Sequence, residues 1–144
     1  MIQKKSGELH PIIYIEDDST SRKVVSMFLK NNFSVDTVSD SSEALEKLKA
    51  KKYQVILLDI SLCKGINGLE LTKEIRKLKN YNKVPIIAAT ALAFREDGKR
   101  ILKGGCTHYI SKPFTKKSLL DIINKALSSV LIFYPILIEN ISWT

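Results

Sequence analysis

Asp59 closes the aliphatic run Val55-Ile56-Leu57-Leu58, which reads as a buried strand. A carboxylate delivered to the end of such a strand is costly unless something pairs with it. Three other short apolar runs also stop at residues able to do chemistry. Ile12-Ile13-Tyr14-Ile15 stops at Glu16-Asp17-Asp18, Ile86-Ile87-Ala88-Ala89 at Thr90, and Tyr109-Ile110-Ser111 at Lys112-Pro113. Acids, a hydroxyl and an amine at four strand ends suit phosphate chemistry at one site. Carboxylates brought close together raise one another's pKa unless a cation joins them. The donors are hard oxygens, without histidine or thiolate, so Mg²⁺ is the ion expected. A carboxylate nucleophile at Asp59, a magnesium ion, the Lys112 ammonium and the Thr90 hydroxyl suit phosphoryl transfer to Asp59. The positive groups would neutralise charge on the transferring oxygens.

These residues can converge only if the strands lie side by side with their carboxyl ends together. Apolar runs alternate with helical patterns about five times along the chain. Strands are expected over 12–16, 35–38, 54–59, 85–89 and 107–111. Helices are expected over 19–31, 41–51, 68–79, 92–103 and from Thr115 onward. Asp40-Ser41-Ser42-Glu43 reads as a capping box for the second helix. Pro85 can start the fourth strand, where a missing donor is tolerated. Gly98 should weaken the fourth helix, and Gly104-Gly105 should end it. Alternating strands and helices predict an α/β fold: a doubly wound, five-stranded parallel sheet with helices on both faces, strand order 2-1-3-4-5. Ligands bind such sheets beyond the carboxyl ends of the strands, where the order reverses. That point lies between strands 1 and 3 and sets Glu16, Asp17 and Asp59 side by side, with Thr90 and Lys112 along the same rim. Singly, each residue has an ordinary explanation as a helix cap or loop residue. Their convergence on one rim favours a site.

The chain has 144 residues, 44% hydrophobic and 26% charged, which suits one globular domain. We divide it into an N-terminal arm (1–10), the domain (11–129) and an apolar extension (130–144). Two cysteines, Cys63 and Cys106, lack metal-type spacing and point to a reducing compartment. Cys63 reads as an inert loop thiol and Cys106 as a small core residue. No signal peptide or membrane span is evident, so a cytoplasmic location is expected. The net charge is +8, but the lysines are spread over several segments without interleaved aromatics. That argues for solvated helix faces and against nucleic-acid binding. The tail from Ser128, SSVLIFYPILIENISWT, is apolar enough to extend the last helix, to pack across a groove or to join two copies in a homodimer.

The motifs Ile13-Tyr14-Ile15-Glu16-Asp17-Asp18, Val55-Ile56-Leu57-Leu58-Asp59-Ile60, Ala88-Ala89-Thr90-Ala91 and Tyr109-Ile110-Ser111-Lys112-Pro113-Phe114, in this order and spacing, resemble the receiver domain of two-component response regulators, a flavodoxin-like (CheY-like) three-layer sandwich. The resemblance covers about residues 11–127. It implies that Asp59 accepts a phosphoryl group from a histidine kinase or phosphotransfer protein in a Mg²⁺-dependent reaction. It implies that Asp17 binds the metal directly, Glu16 through water, and Ser61 through its backbone carbonyl. Thr90 matches the switch hydroxyl, Lys112 the phosphate-pairing lysine and Tyr109 the aromatic switch position. The Lys112–Pro113 bond would be cis. Phosphorylation would then change the affinity of the face formed by helix 4, strand 5 and helix 5 for a downstream protein. Such a protein is a signalling switch in a phosphorelay, with at most autophosphorylation and autodephosphorylation activity. Two positions depart from the pattern: Cys63 replaces a usual proline, and the glycine that follows, Gly68, comes one residue late. The loop Ser61–Asn67 is therefore one residue longer. The chain length favours a stand-alone regulator, with a receiver segment of a hybrid kinase as the alternative. A metal-dependent phosphohydrolase is disfavoured because Ser61 stands where a second acid would be needed. A constitutive binding module is disfavoured because the acids, Thr90 and Lys112 are all retained.

Overall fold

The computed structural model describes residues 9–62, 65–91 and 95–133, with the backbone alone for 95–97 and 131–133. Five parallel strands, β1 (His10–Ile15), β2 (Phe33–Val38), β3 (Val55–Asp59), β4 (Ile86–Thr90) and β5 (His108–Ser111), form one sheet in the order β2-β1-β3-β4-β5. Helices α1 (Ser19–Leu29), α2 (Ser41–Ala50), α3 (Gly68–Lys77), α4 (Arg95–Lys103) and α5 (Lys116–Phe133) connect and cover it. The expected fold class and strand order are those observed. Strand limits shift slightly. β1 begins earlier, at His10, because His10 and Pro11 pair with Phe33 and Ser34 of β2. Pro85 stands just before β4 and offers its carbonyl to Ile56 N at 3.0 Å. The start expected for helix 4, residues 92–94, lies outside the described residues, as do Cys63, most of the N-terminal arm and the apolar end from 134.

Side-chain alternation along the strands sorts the core into two layers. Ile13, Ile15, Ile56, Leu58, Ile86 and Ala88 face Ala44, Leu48, Leu71, Ile75 and Ile101 of α2, α3 and α4. Ile12, Tyr14, Val55, Leu57, Ile87 and Ala89 face Val25, Leu29, Leu119, Ile123 and Ala126 of α1 and α5. Strands buried on both faces read as continuous apolar runs, which is why β1, β3 and β4 stand out in the sequence.

The helix starts explain several polar residues near the rim. Asp18 caps α1, accepting from Ser21 N at 2.8 Å and Ser21 Oγ at 2.6 Å. Asp40 caps α2 by accepting from Glu43 N at 2.8 Å. Glu43 reaches back, but to Ser39 N at 3.2 Å rather than to the cap residue itself, so the expected capping box closes one residue earlier. Asn67 caps α3 through Glu70 N at 3.0 Å.

Candidate functional site

Beyond the strand ends the alternation continues and decides where the acids point. Glu16 N still donates to Val38 O at 3.0 Å, and Lys112 N to Thr90 O at 2.8 Å, so both residues extend their strands' ladders. Glu16 follows Tyr14, Asp59 follows Leu57, and Lys112 follows Ile110, each two residues on. All three therefore inherit the face of the α1/α5 layer. Three side chains from β1, β3 and β5 meet above that layer although they are far apart in sequence.

Carboxylate oxygens of Glu16, Asp17 and Asp59 all lie within 4.8 Å of one another. Asp18, next in sequence, caps α1, so of the acidic run Glu16 and Asp17 are the two that lie beside Asp59. Lys112 Nζ lies 2.7 Å from Glu16 Oε1 and 3.6 Å from Asp59 Oδ1. Ser61 N donates to Asp59 Oδ1 at 2.9 Å. Tyr14 Oη donates to Glu16 Oε1 at 3.2 Å. Glu16 is 1% exposed and Asp59 4%.

Glu16 Oε2 is buried without a hydrogen-bond partner. Burial first, and then the neighbouring Asp59, push the Glu16 carboxyl above the usual carboxylate range, and the hydrogen bond from Lys112 does not offset them. Burial works against the charged form of Lys112, but its bond to Glu16 and the charge on Asp59 outweigh that and raise its pKa. Tyr14 is raised too, by burial and by the Glu16 charge, so it stays a donor. A small divalent cation fits: it would give Glu16 Oε2 a partner, directly or through water, and would relieve repulsion among hard oxygen ligands.

Thr90 joins these residues on the same rim. Thr90 is buried at the last position of β4, one residue past Ala89, the partner of Asp59 in the sheet register. The Lys112–Pro113 peptide is cis, as the resemblance implied. Lys112 pairs more closely with Glu16, at 2.7 Å, than with Asp59, at 3.6 Å. Tyr109 is 38% exposed on the edge strand β5. His108 is half-buried beside Thr107, with Nδ1 2.8 Å from Thr107 Oγ1, in keeping with a structural role. Cys106 is buried 3.6 Å from Thr72 Oγ1, and burial pushes its thiol up.

Two glycines make close contacts that sequence periodicity does not encode. A β-carbon on Gly98 would lie 2.9 Å from Tyr109 Cζ and Oη. The glycine that looked like a flaw in α4 is the seat of the Tyr109 ring. A β-carbon on Gly68 would lie 2.6 Å from Ile60 Cα and 2.8 Å from Asp59 O, so α3 begins hard against the backbone that carries Asp59. Only the interval from Asp59 to Gly68 hinted at this, and the one-residue offset obscured it.

Comparison with known proteins agrees with this geometry. The response regulator receiver domain family matches residues 12–124. The chain is 30% identical over 117 residues to the polar-differentiation response regulator DivK of Brucella anthropi, covering 81% of this chain and 94% of that protein. It is 32% identical over 121 residues to the hybrid signal transduction histidine kinase I of Dictyostelium discoideum, covering 78% of this chain but 7% of that protein. The receiver domain of the sensor histidine kinase PA1611 from Pseudomonas aeruginosa PAO1, solved with a magnesium ion in its active site cleft, superposes with a TM-score of 0.76 at 30% identity, over 83% of this chain and 98% of that one. Both a regulator of similar length and segments of larger kinases thus occur among its relatives. Among the described residues no helix is long and apolar enough to cross a membrane. With its strand order, its acidic rim and its cis Lys112–Pro113 bond, the chain belongs to the response regulator receiver domain family.

Proposed function

We propose that Asp59 accepts a phosphoryl group from a phosphohistidine on a histidine kinase or phosphotransfer protein. The observation that carries this reading is the convergence of Glu16, Asp17 and Asp59 within 4.8 Å, with Lys112 Nζ between Glu16 and Asp59. A carboxylate oxygen of Asp59 attacks phosphorus, the P–N bond breaks, and the histidine nitrogen keeps the electron pair. The Ser61 N–H holds Asp59 Oδ1 and so orients the carboxylate for attack. Asp17 and Asp59, with Glu16 through water and the Ser61 carbonyl, would hold Mg²⁺, which would supply charge neutralisation at the transferring oxygens. Lys112 turns from Glu16 to the phosphoryl oxygens. Thr90 donates its hydroxyl to them from β4. Tyr109 leaves Gly98 and moves inward, changing the surface of α4, β5 and α5 that a downstream protein reads. The protein is thus a phosphorelay switch rather than a dedicated enzyme.

Incubation with Mg²⁺ and a small acyl phosphate, or with a beryllium fluoride mimic, tests this. Intact mass or ¹⁹F resonances should report one modification or one bound mimic on wild type, absent in Asp59→Asn and on removal of Mg²⁺. Equal incorporation into Asp59→Asn would assign the acceptor elsewhere. Sustained phosphomonoester turnover would favour a phosphohydrolase.

A further inference from the structure

The buried polar side chains among the described residues are Glu16, Ser41, Asp59, Thr72 and Thr90. Glu16, Asp59 and Thr90 belong to the rim already described. Thr72 bonds to Gly68 O within its own helix at 2.9 Å. Ser41 remains, 5% exposed at the first position of α2. Its Oγ accepts from the backbone N–H of Ile66 at 3.2 Å, a bond between α2 and the loop that follows Asp59. Beside it Gly65 has a φ of +78°, and a β-carbon there would lie 2.1 Å from Ser41 Oγ. Both the backbone conformation and the close approach therefore demand glycine at this point.

We propose that Ser41 is a positioning residue for the segment that follows Asp59, and that its hydroxyl latches the returning limb, residues 65–67, to α2. The inference rests on the reading that Ser61 turns its carbonyl to Mg²⁺. On the outgoing limb, Ser61 N is held by Asp59 Oδ1. On the returning limb, Gly68 N bonds Ile60 O at 3.3 Å, and Ile66 N is held by Ser41. A loop one residue longer than the family pattern has more conformations to lose when it closes. The extra tie offsets part of that cost. The anchor is itself fixed to the site, since α2 follows β2 directly, and Val38 O at the end of β2 accepts from Glu16 N. Ser41 thus holds the loop in the same frame as Glu16.

Mg²⁺ affinity and the thermal midpoint, measured on wild type, Ser41→Ala and Ser42→Ala, test the latch. Ser42 is the exposed neighbour, so Ser42→Ala carries the same helix-propensity change without the bond. Ser41→Ala should weaken Mg²⁺ binding by about three- to tenfold, the worth of one hydrogen bond, while Ser42→Ala matches wild type. In the metal-free protein the Ile66 amide should exchange faster in Ser41→Ala than in the control. Ser41→Cys, which keeps the size but is a weaker acceptor, should fall between them and serves if Ser41→Ala folds poorly. Mg²⁺ affinity within twofold of wild type in both Ser41 variants would overturn the latch, even if the thermal midpoint fell. If wild type itself fails to bind Mg²⁺, the reading of the acidic site fails and the latch's role with it.

Discussion

Near the amino ends of β3 and β4, Asp36 accepts hydrogen bonds from Tyr53 Oη and from Lys51 Nζ, the latter at 3.0 Å, while at the carboxyl ends Glu16 keeps one buried oxygen without a partner. The lower network closes on itself. Tyr81 Oη donates to Lys51 O at 2.8 Å and accepts from Tyr53 N at 3.1 Å. Burial works to raise the Asp36 carboxyl, but Tyr53 and Lys51 more than offset it and its pKa is lowered. Glu16 moves the other way, raised by burial and by Asp59. A satisfied carboxylate holds the fold together. An under-satisfied cluster costs stability and leaves work for a ligand to do.

The contrast is broken most sharply by removing Lys112, the counter-ion of Glu16. In Lys112→Met the metal-free protein should lose about 3 kcal/mol by chemical denaturation at neutral pH, because a nearly inaccessible carboxylate is left without its cation. A loss like that of an exposed ion pair would show that Glu16 is already neutral. A paired comparison comes next. Asp59→Asn should stabilise the metal-free protein by about 1 kcal/mol, by removing repulsion, and should weaken Mg²⁺ binding. Tyr53→Phe should cost about 1 kcal/mol and leave Mg²⁺ binding unchanged. Effects of the same sign at both ends would erase the distinction. The smallest effect is in pH dependence. Glu16 has a raised folded pKa, so its contribution is full below the ordinary glutamate value and is lost as pH rises through the raised one. Asp36 has a lowered folded pKa, so its contribution is present above the ordinary aspartate value and is lost as pH falls through the lowered one. Thermal unfolding of the metal-free protein should show the upper decline vanish in Glu16→Gln or with Mg²⁺, and the acid decline shrink in Tyr53→Phe.

The strand order and the residues of the rim were legible in the sequence because buried parallel strands write themselves as unbroken apolar runs. The residue closing each run is then forced to the sheet's ligand-binding edge. Glu16, Asp17, Asp59, Thr90 and Lys112 follow from that logic together with the family resemblance. Tertiary packing decided what spacing does not encode. Asp18 became a cap while its neighbours faced the site, because α1 starts at Ser19 and the ladder still holds Glu16 to β2. Lys112 settled 2.7 Å from Glu16 and 3.6 Å from Asp59, a division that no spacing in the sequence states. Gly98 proved to be a seat for Tyr109, and Ser41 and Gly65 a contact between α2 and the Asp59 loop, because the space between elements exists only once they are packed.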